Sequence, residues 1–264
     1  MANAPLKSEV CYSGCHQNAS WYGRTVKDCT QFASFLRQVV RPRMTDADSG
    51  FEADLLGLAT TGMAADLVGR LLRAIPEPEG WEIGEALAEC ALRNESDREF
   101  HWPWNTVRDK RTPRASLPGA DLVGFCAVDG TTWLTIGEVK SSSDAKVPPG
   151  VMLGKRGMAW QLDQNVKRHD IICTLLKWLS VRCSNGIYQQ MYEESVGRYL
   201  NSMGSELLVV GVLIRDTAPS EADLQGRGIA LAQKLPSPTR VDLFAWYLPV
   251  PIAKWPTLLQ EEVS

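Results

Sequence analysis

The stretch Pro118-Gly119-Ala120-Asp121, an apolar run, Asp129-Gly130 and then Ile136-Gly137-Glu138-Val139-Lys140 decides how this chain is read. An Asp-Gly pair between alternating apolar runs is the strongest short-range signal for a two-residue β-hairpin. With Asp129 and Gly130 as the loop, Val128 faces Thr131, and counting outward sets Asp121 directly opposite Glu138. Their Cβ atoms are then roughly 4.5–5.5 Å apart. Lys140 lies two residues beyond Glu138 and projects from the same face. Like charges facing each other destabilise a sheet, so a pair of acids with an amine beside it points to use. Two hard carboxylates converging in this way make an oxygen site for Mg²⁺ or Mn²⁺.

Working outward, a helix is expected over 83–93, its apolar stripe formed by Ala86, Leu87, Cys90 and Ala91, with Glu85 and Glu89 four apart on one face. Residues 94–118 read as an extended excursion. A Ser/Pro/Gly/Lys-rich loop over 141–157 leads into a long helix over 158–183. The run Glu206-Leu-Leu-Val-Val-Gly-Val-Leu-Ile214 reads as a strand buried on both faces, and a helix over 220–234 and a strand over 241–250 follow. The order helix, hairpin, helix, buried strand implies an α/β layered core. Residues 1–78 read as mainly helical, with one helix from Val26 to Val40 ended by Arg41-Pro42 and another over 51–75. Pro76-Glu77-Pro78-Glu79-Gly80 breaks the pattern, giving a helical N-terminal region over 1–80, with a partner-binding or regulatory part, and a second domain over 81–264.

Of 264 residues, 44% are hydrophobic and 22% charged, the composition of a globular protein with a full core. No stretch approaches the ~20 apolar residues of a membrane span, and the N-terminus has no apolar run resembling an export signal. Seven scattered cysteines add to the expectation of a soluble, cytoplasmic protein with free thiols. Cys11, Cys15, His16 and Cys29 lack the second tight pair of a structural zinc site. No His-x-x-x-His pair and no phosphate-binding Gly-rich loop with Lys-Ser/Thr occur, arguing against a zinc protease and against ATP hydrolysis by this chain. The net charge of −3 is unlike that of a protein that coats nucleic acid by itself. Basic residues nevertheless bracket the acids: Arg108, Lys110, Arg111 and Arg114 before them, Lys155, Arg156, Lys167 and Arg168 after. Lys110, Arg111, Lys155 and Arg156 are the candidate phosphate contacts, solvated loops being the alternative. Among the tryptophans, Trp160 is a candidate for stacking on bases, Trp102 and Trp104 fit either stacking or the core, and Trp178 fits a core position.

Asp121, Glu138 and Lys140, together with the helix that begins Gly84-Glu85-Ala86-Leu87-Ala88, resemble the PD-(D/E)XK nuclease superfamily, whose signature is an Asp on one strand and Glu-x-Lys on the next. The resemblance covers about 90 residues and implies a restriction-endonuclease-like α-β-β-β-α-β core. It further implies that Asp121, Glu138 and the Val139 carbonyl hold one Mg²⁺ (or Mn²⁺), that Lys140 orients the attacking water or stabilises the phosphorane, and that Glu85 touches the same metal or a second one. Gln164, on the helix after Glu-x-Lys, is a candidate DNA contact by the same likeness, and Gln161 a weaker one. The tyrosine that often follows by four is Arg168 here, which weakens that pattern. At the level of length and motif order the chain is similar to the nuclease subunit of the Hachiman anti-phage defence system, a family that works with a superfamily 2 helicase. The expectation is therefore a metal-dependent deoxyribonuclease governed by a helicase partner. A catalytically silent nucleic-acid-binding or scaffolding module that keeps the fold is the alternative.

Overall fold

A computed structural model describes residues 5–74, 79–105, 109 and 119–260. One mixed sheet of seven strands organises it: β1 (Glu9–His16), β2 (Ala19–Thr25), β3 (Glu99–His101), β4 (Leu122–Val128), β5 (Thr131–Ser142), β6 (Leu208–Arg215) and β7 (Arg240–Tyr247). The spatial order is β1-β2-β7-β6-β5-β4-β3. The central four, β2, β7, β6 and β5, run parallel, while β1, β4 and β3 are antiparallel additions at the two edges. This is an α/β architecture.

Helices cover both faces, which is why β6 is buried at every position. Its Leu208, Val210, Val212 and Ile214 face one core, while Val209 and Leu213 face the other. On the first side pack α1 (Cys29–Phe35), its π-helical continuation Leu36–Val40, α2 (Arg41–Thr45), α5 (Gly80–Leu92) and α10 (Trp255–Gln260). On the second side pack α6 (Met158–Lys167), α7 (His169–Cys183), α8 (Gln189–Asn201) and α9 (Gln225–Lys234). Two further helices, α3 (Phe51–Leu58) and α4 (Gly62–Arg73), form a hairpin at the periphery whose Leu58, Met63 and Leu71 are exposed. Among the described residues no helix is long and apolar enough to cross a membrane.

The helical N-terminal region needs correction. Residues 9–25 are a β-hairpin, and β2 pairs with β7 along its whole length, so this segment extends the main sheet. A boundary near residue 80 does not separate the sheet into two units. The helix starting at Cys29 also runs through Pro42 to Thr45. Proline normally clashes with the carbonyl four residues back, but the wider π turn just before it shifts that ladder, and Pro42 sits in the first turn of α2. The helix expected over 51–75 is two, because Thr61 turns the chain and caps α4 by accepting from the Ala64 N–H at 3.2 Å. The long helix over 158–183 breaks at Arg168, whose backbone is extended. Helix α8 had no counterpart in the sequence reading.

Candidate active site at the overhang of β5

The hairpin forms in the expected register. Asp129 and Gly130 both have positive φ, 51° and 70°, as a two-residue turn of the primed type demands. Pairing then runs without slippage from Val128 opposite Thr131 to Leu122 opposite Gly137. There β4 stops, while β5 continues to Ser142, paired only with β6. Among the described residues, the far half of β5 therefore has one backbone edge without a strand beside it.

Asp121 fills the first position of that edge. Its N–H donates to the Gly137 carbonyl at 3.0 Å, and its Oδ2 accepts from the Val139 N–H at 2.8 Å. In an extended strand the N–H and C=O of one residue leave on the same side, so the Val139 carbonyl is also directed beyond the foot of β4. Glu138 is buried, 4% exposed, and its Oε1 accepts from Lys140 Nζ at 2.6 Å.

Glu85 arrives from α5, in the layer on the other face. Gly84 makes this approach possible: a Cβ there would meet Ser141 Oγ of β5 at 2.5 Å. The next residue is thereby brought against the end of the sheet. Glu85, Asp121, Val139, Lys140 and Ser141 line one cleft of about 440 Å³, with Gly80, Trp81 and Ile252 completing its wall. Glu138 is not part of that lining; it lies behind it, bonded to Lys140, which is. Burial raises the pKa of all three acids, and Glu85 and Glu138 are each raised further by the charge on Asp121. Among the described residues, the three carboxyls share one ammonium, that of Lys140. That surplus of buried acid over base is the observation that fits a hard divalent cation, together with an all-oxygen donor set of Asp121, Glu138, Glu85 and the Val139 carbonyl. Among the described residues no preformed cluster of three His, Cys, Asp or Glu ligands is present. Mg²⁺ takes one or two protein carboxylates and keeps several waters.

Glu89, one turn after Glu85, is tied down instead. Its Oε2 pairs with Arg43 Nε, and Arg43 also donates to the Trp104 carbonyl, while Trp102 Nε1 donates to the Glu89 carbonyl at 3.0 Å. A buried acid neutralised in this way is a structural anchor for α5. Arg43 was not legible as part of the site, because nothing local in the sequence connects it to Glu89.

The remaining candidates divide. Lys155 and Arg156 form an exposed 3₁₀ turn ahead of α6, outside the lining of the cleft. Gln161 and Gln164 are half-buried on α6 and likewise outside the lining. Lys110 and Arg111, with Arg108 and Arg114, lie outside the described residues. Trp102 and Trp104 are buried, 1% and 2% exposed, and Trp104 stacks on Trp178 at 4.7 Å between centroids, so these three serve the core. Trp81 and Ile252 were missed; the signal for Trp81 was its position four residues before Glu85. No protein-family model matches this sequence, and no curated protein matches it.

Proposed function

We propose that this chain is a Mg²⁺- or Mn²⁺-dependent deoxyribonuclease with a restriction-endonuclease-like core, working as the effector of a two-component anti-phage defence complex governed by a superfamily 2 helicase. The convergence of Asp121, Glu138, Lys140 and Glu85 at the overhang of β5 carries the reading. The element order supports it: α5, then β3, β4 and β5 as an antiparallel set, then α6 and, beyond two more helices, β6 parallel to β5. A net charge of −3 is consistent with a chain that borrows its grip on DNA from a partner.

A bound divalent cation supplies Lewis acidity toward the phosphate and makes a bound water more acidic. Asp121, Glu138 and the Val139 carbonyl would hold it, with Glu85 adjoining. Asp121, fixed by the Val139 N–H, presents its other oxygen without a conformational search. Lys140 neutralises Glu138 and lines the cleft, where its ammonium can meet a phosphate oxygen as charge builds there.

The test is plasmid incubation with Mg²⁺, Mn²⁺ or EDTA, with the chain alone and with a helicase partner and ATP. Cleavage that vanishes in EDTA, in Glu138→Ala and in Lys140→Ala supports the enzyme. DNA binding without cutting under every condition sinks it and favours the silent module.

A further inference from the structure

Trp81 stands one helical turn before Glu85 on α5, and both line the cleft. Residues four apart on a helix are neighbours, so the indole and the carboxylate are presented side by side. Trp81 is 39% exposed, although a tryptophan in a fold gains most by burying its large apolar surface. Its ring is held in place: Nε1–H donates to Glu79 Oε2 at 2.8 Å, and Glu79 with Glu82 forms the capping box that starts the helix.

Ile252 adds a second apolar element to the same wall. Its N–H is fixed by Asp216 Oδ2, which also accepts from Ser143 Oγ in the segment after β5. One part of the cleft is therefore aromatic and aliphatic, and the other is ionic, with Glu85, Asp121 and Lys140. Inorganic phosphate would engage only the ionic part. A nucleotide, with a flat apolar base joined to a charged phosphate, matches both.

Resting on the nuclease reading above, we propose that Trp81 is a stacking platform for the base adjoining the scissile phosphate, and that the cleft consequently takes single-stranded DNA in preference to duplex. A paired base is covered on both faces by its neighbours and must leave the stack before it can lie on an indole. A base in a single strand pays much less, and stacking on an aromatic ring tolerates any sequence.

The experiment titrates a fluorescein-labelled oligothymidylate and a blunt duplex of equal length with the full chain, reading anisotropy with Ca²⁺ replacing Mg²⁺ to hold turnover off. Wild type is expected to bind the single strand more tightly. Trp81→Ala is expected to weaken single-strand binding about tenfold, the increment of one stacked base, and duplex binding by less than about twofold. Trp81→Phe should keep most of the affinity, while Trp81→Leu, similarly apolar but without a π face, should behave like the alanine variant. Equal losses on both ligands, no loss on either, equal affinities for Phe and Leu variants, or no binding of the single strand by wild type would each overturn the assignment. The Phe–Leu comparison holds even where the alanine variant melts early. Failure to cut DNA with Mg²⁺ or Mn²⁺ sinks the nuclease reading and leaves this binding comparison intact, whereas cutting that ignores Trp81 in single-strand preference sinks the stacking role alone.

Discussion

Two groups of charged residues sit at the ends of adjacent strands, and they are built on opposite terms. At the end of β6, Arg215 and Asp223 are both fully buried, 2.7 Å apart from Nη1 to Oδ1. Asp223 also accepts from the Tyr247 hydroxyl at 2.9 Å, and Arg215 Nη2 donates to the carbonyls of Asp144 and Lys146. One acid meets one base, so the pair pins the loop that follows β5. At the end of β5, by contrast, Glu85, Asp121 and Glu138 share one described cation, Lys140, beside a cleft that Glu85, Asp121 and Lys140 line. A buried charge that is balanced in place serves the fold. A surplus of acid beside solvent calls for a counter-charge, and that is the ground on which the second group is proposed as a site.

The sharpest way to break this contrast is to unbalance the balanced group. Arg215→Ala leaves Asp223 buried without its cation and is expected to cost about 3–5 kcal/mol, read as a lowered midpoint in urea unfolding. At the other group the same kind of surgery should cost activity instead. Glu138→Ala and Lys140→Ala are each expected to reduce cleavage by about 100- to 1000-fold. Their melting temperatures in EDTA should part company: at or above wild type for Glu138→Ala, which removes an acid, and below it for Lys140→Ala, which removes the ammonium that Glu138 pairs with. Asp121→Asn should abolish cleavage with the fold intact, because charge is lost and volume is not.

A titration then sharpens the comparison. Burial and the neighbouring Asp121 raise Glu85 to about 9 and Glu138 to about 8. A carboxyl with a raised folded value holds a proton that the unfolded chain has given up, so its contribution to stability is complete near pH 4.5 and is lost as pH rises through 8 and 9. Without divalent cations the melting temperature should therefore fall between pH 5 and 9. Added Mg²⁺ should restore part of it at the alkaline end, and Glu85→Gln should flatten the profile. A profile that rises over that range would contradict the buried-acid description. The smallest expected effect lies far from both groups: Thr61→Ala removes the cap of α4 at about 1 kcal/mol without altering cleavage.

Much of this was legible locally. Asp129-Gly130 dictated the turn, the turn dictated the register, and the register set Asp121 beside Glu138 at the start of Glu-x-Lys. The two-sided burial of β6 followed from its unbroken apolar run. What escaped depends on distant partners. β1 and β2 lack an Asn-Gly or Asp-Gly turn, their Gln17 taking positive φ instead, and β2 becomes a strand by lying along β7, over 200 residues away. The break at Arg168 has neither Gly nor Pro to announce it. Arg43 could not be assigned to Glu89 because that ion pair exists only after α2 has docked on α5.

That ion pair has a practical corollary for anyone wishing to trim the chain. Cutting away everything before Gly80 would delete the guanidinium that neutralises an acid one turn below the cleft, and would strip β2 from the flank of β7. The shortened remainder would carry an orphaned charge inside its helix layer and a raw sheet edge outside. The leading segment is thus part of the scaffold that keeps α5 seated, and dissecting its role calls for point changes rather than truncation.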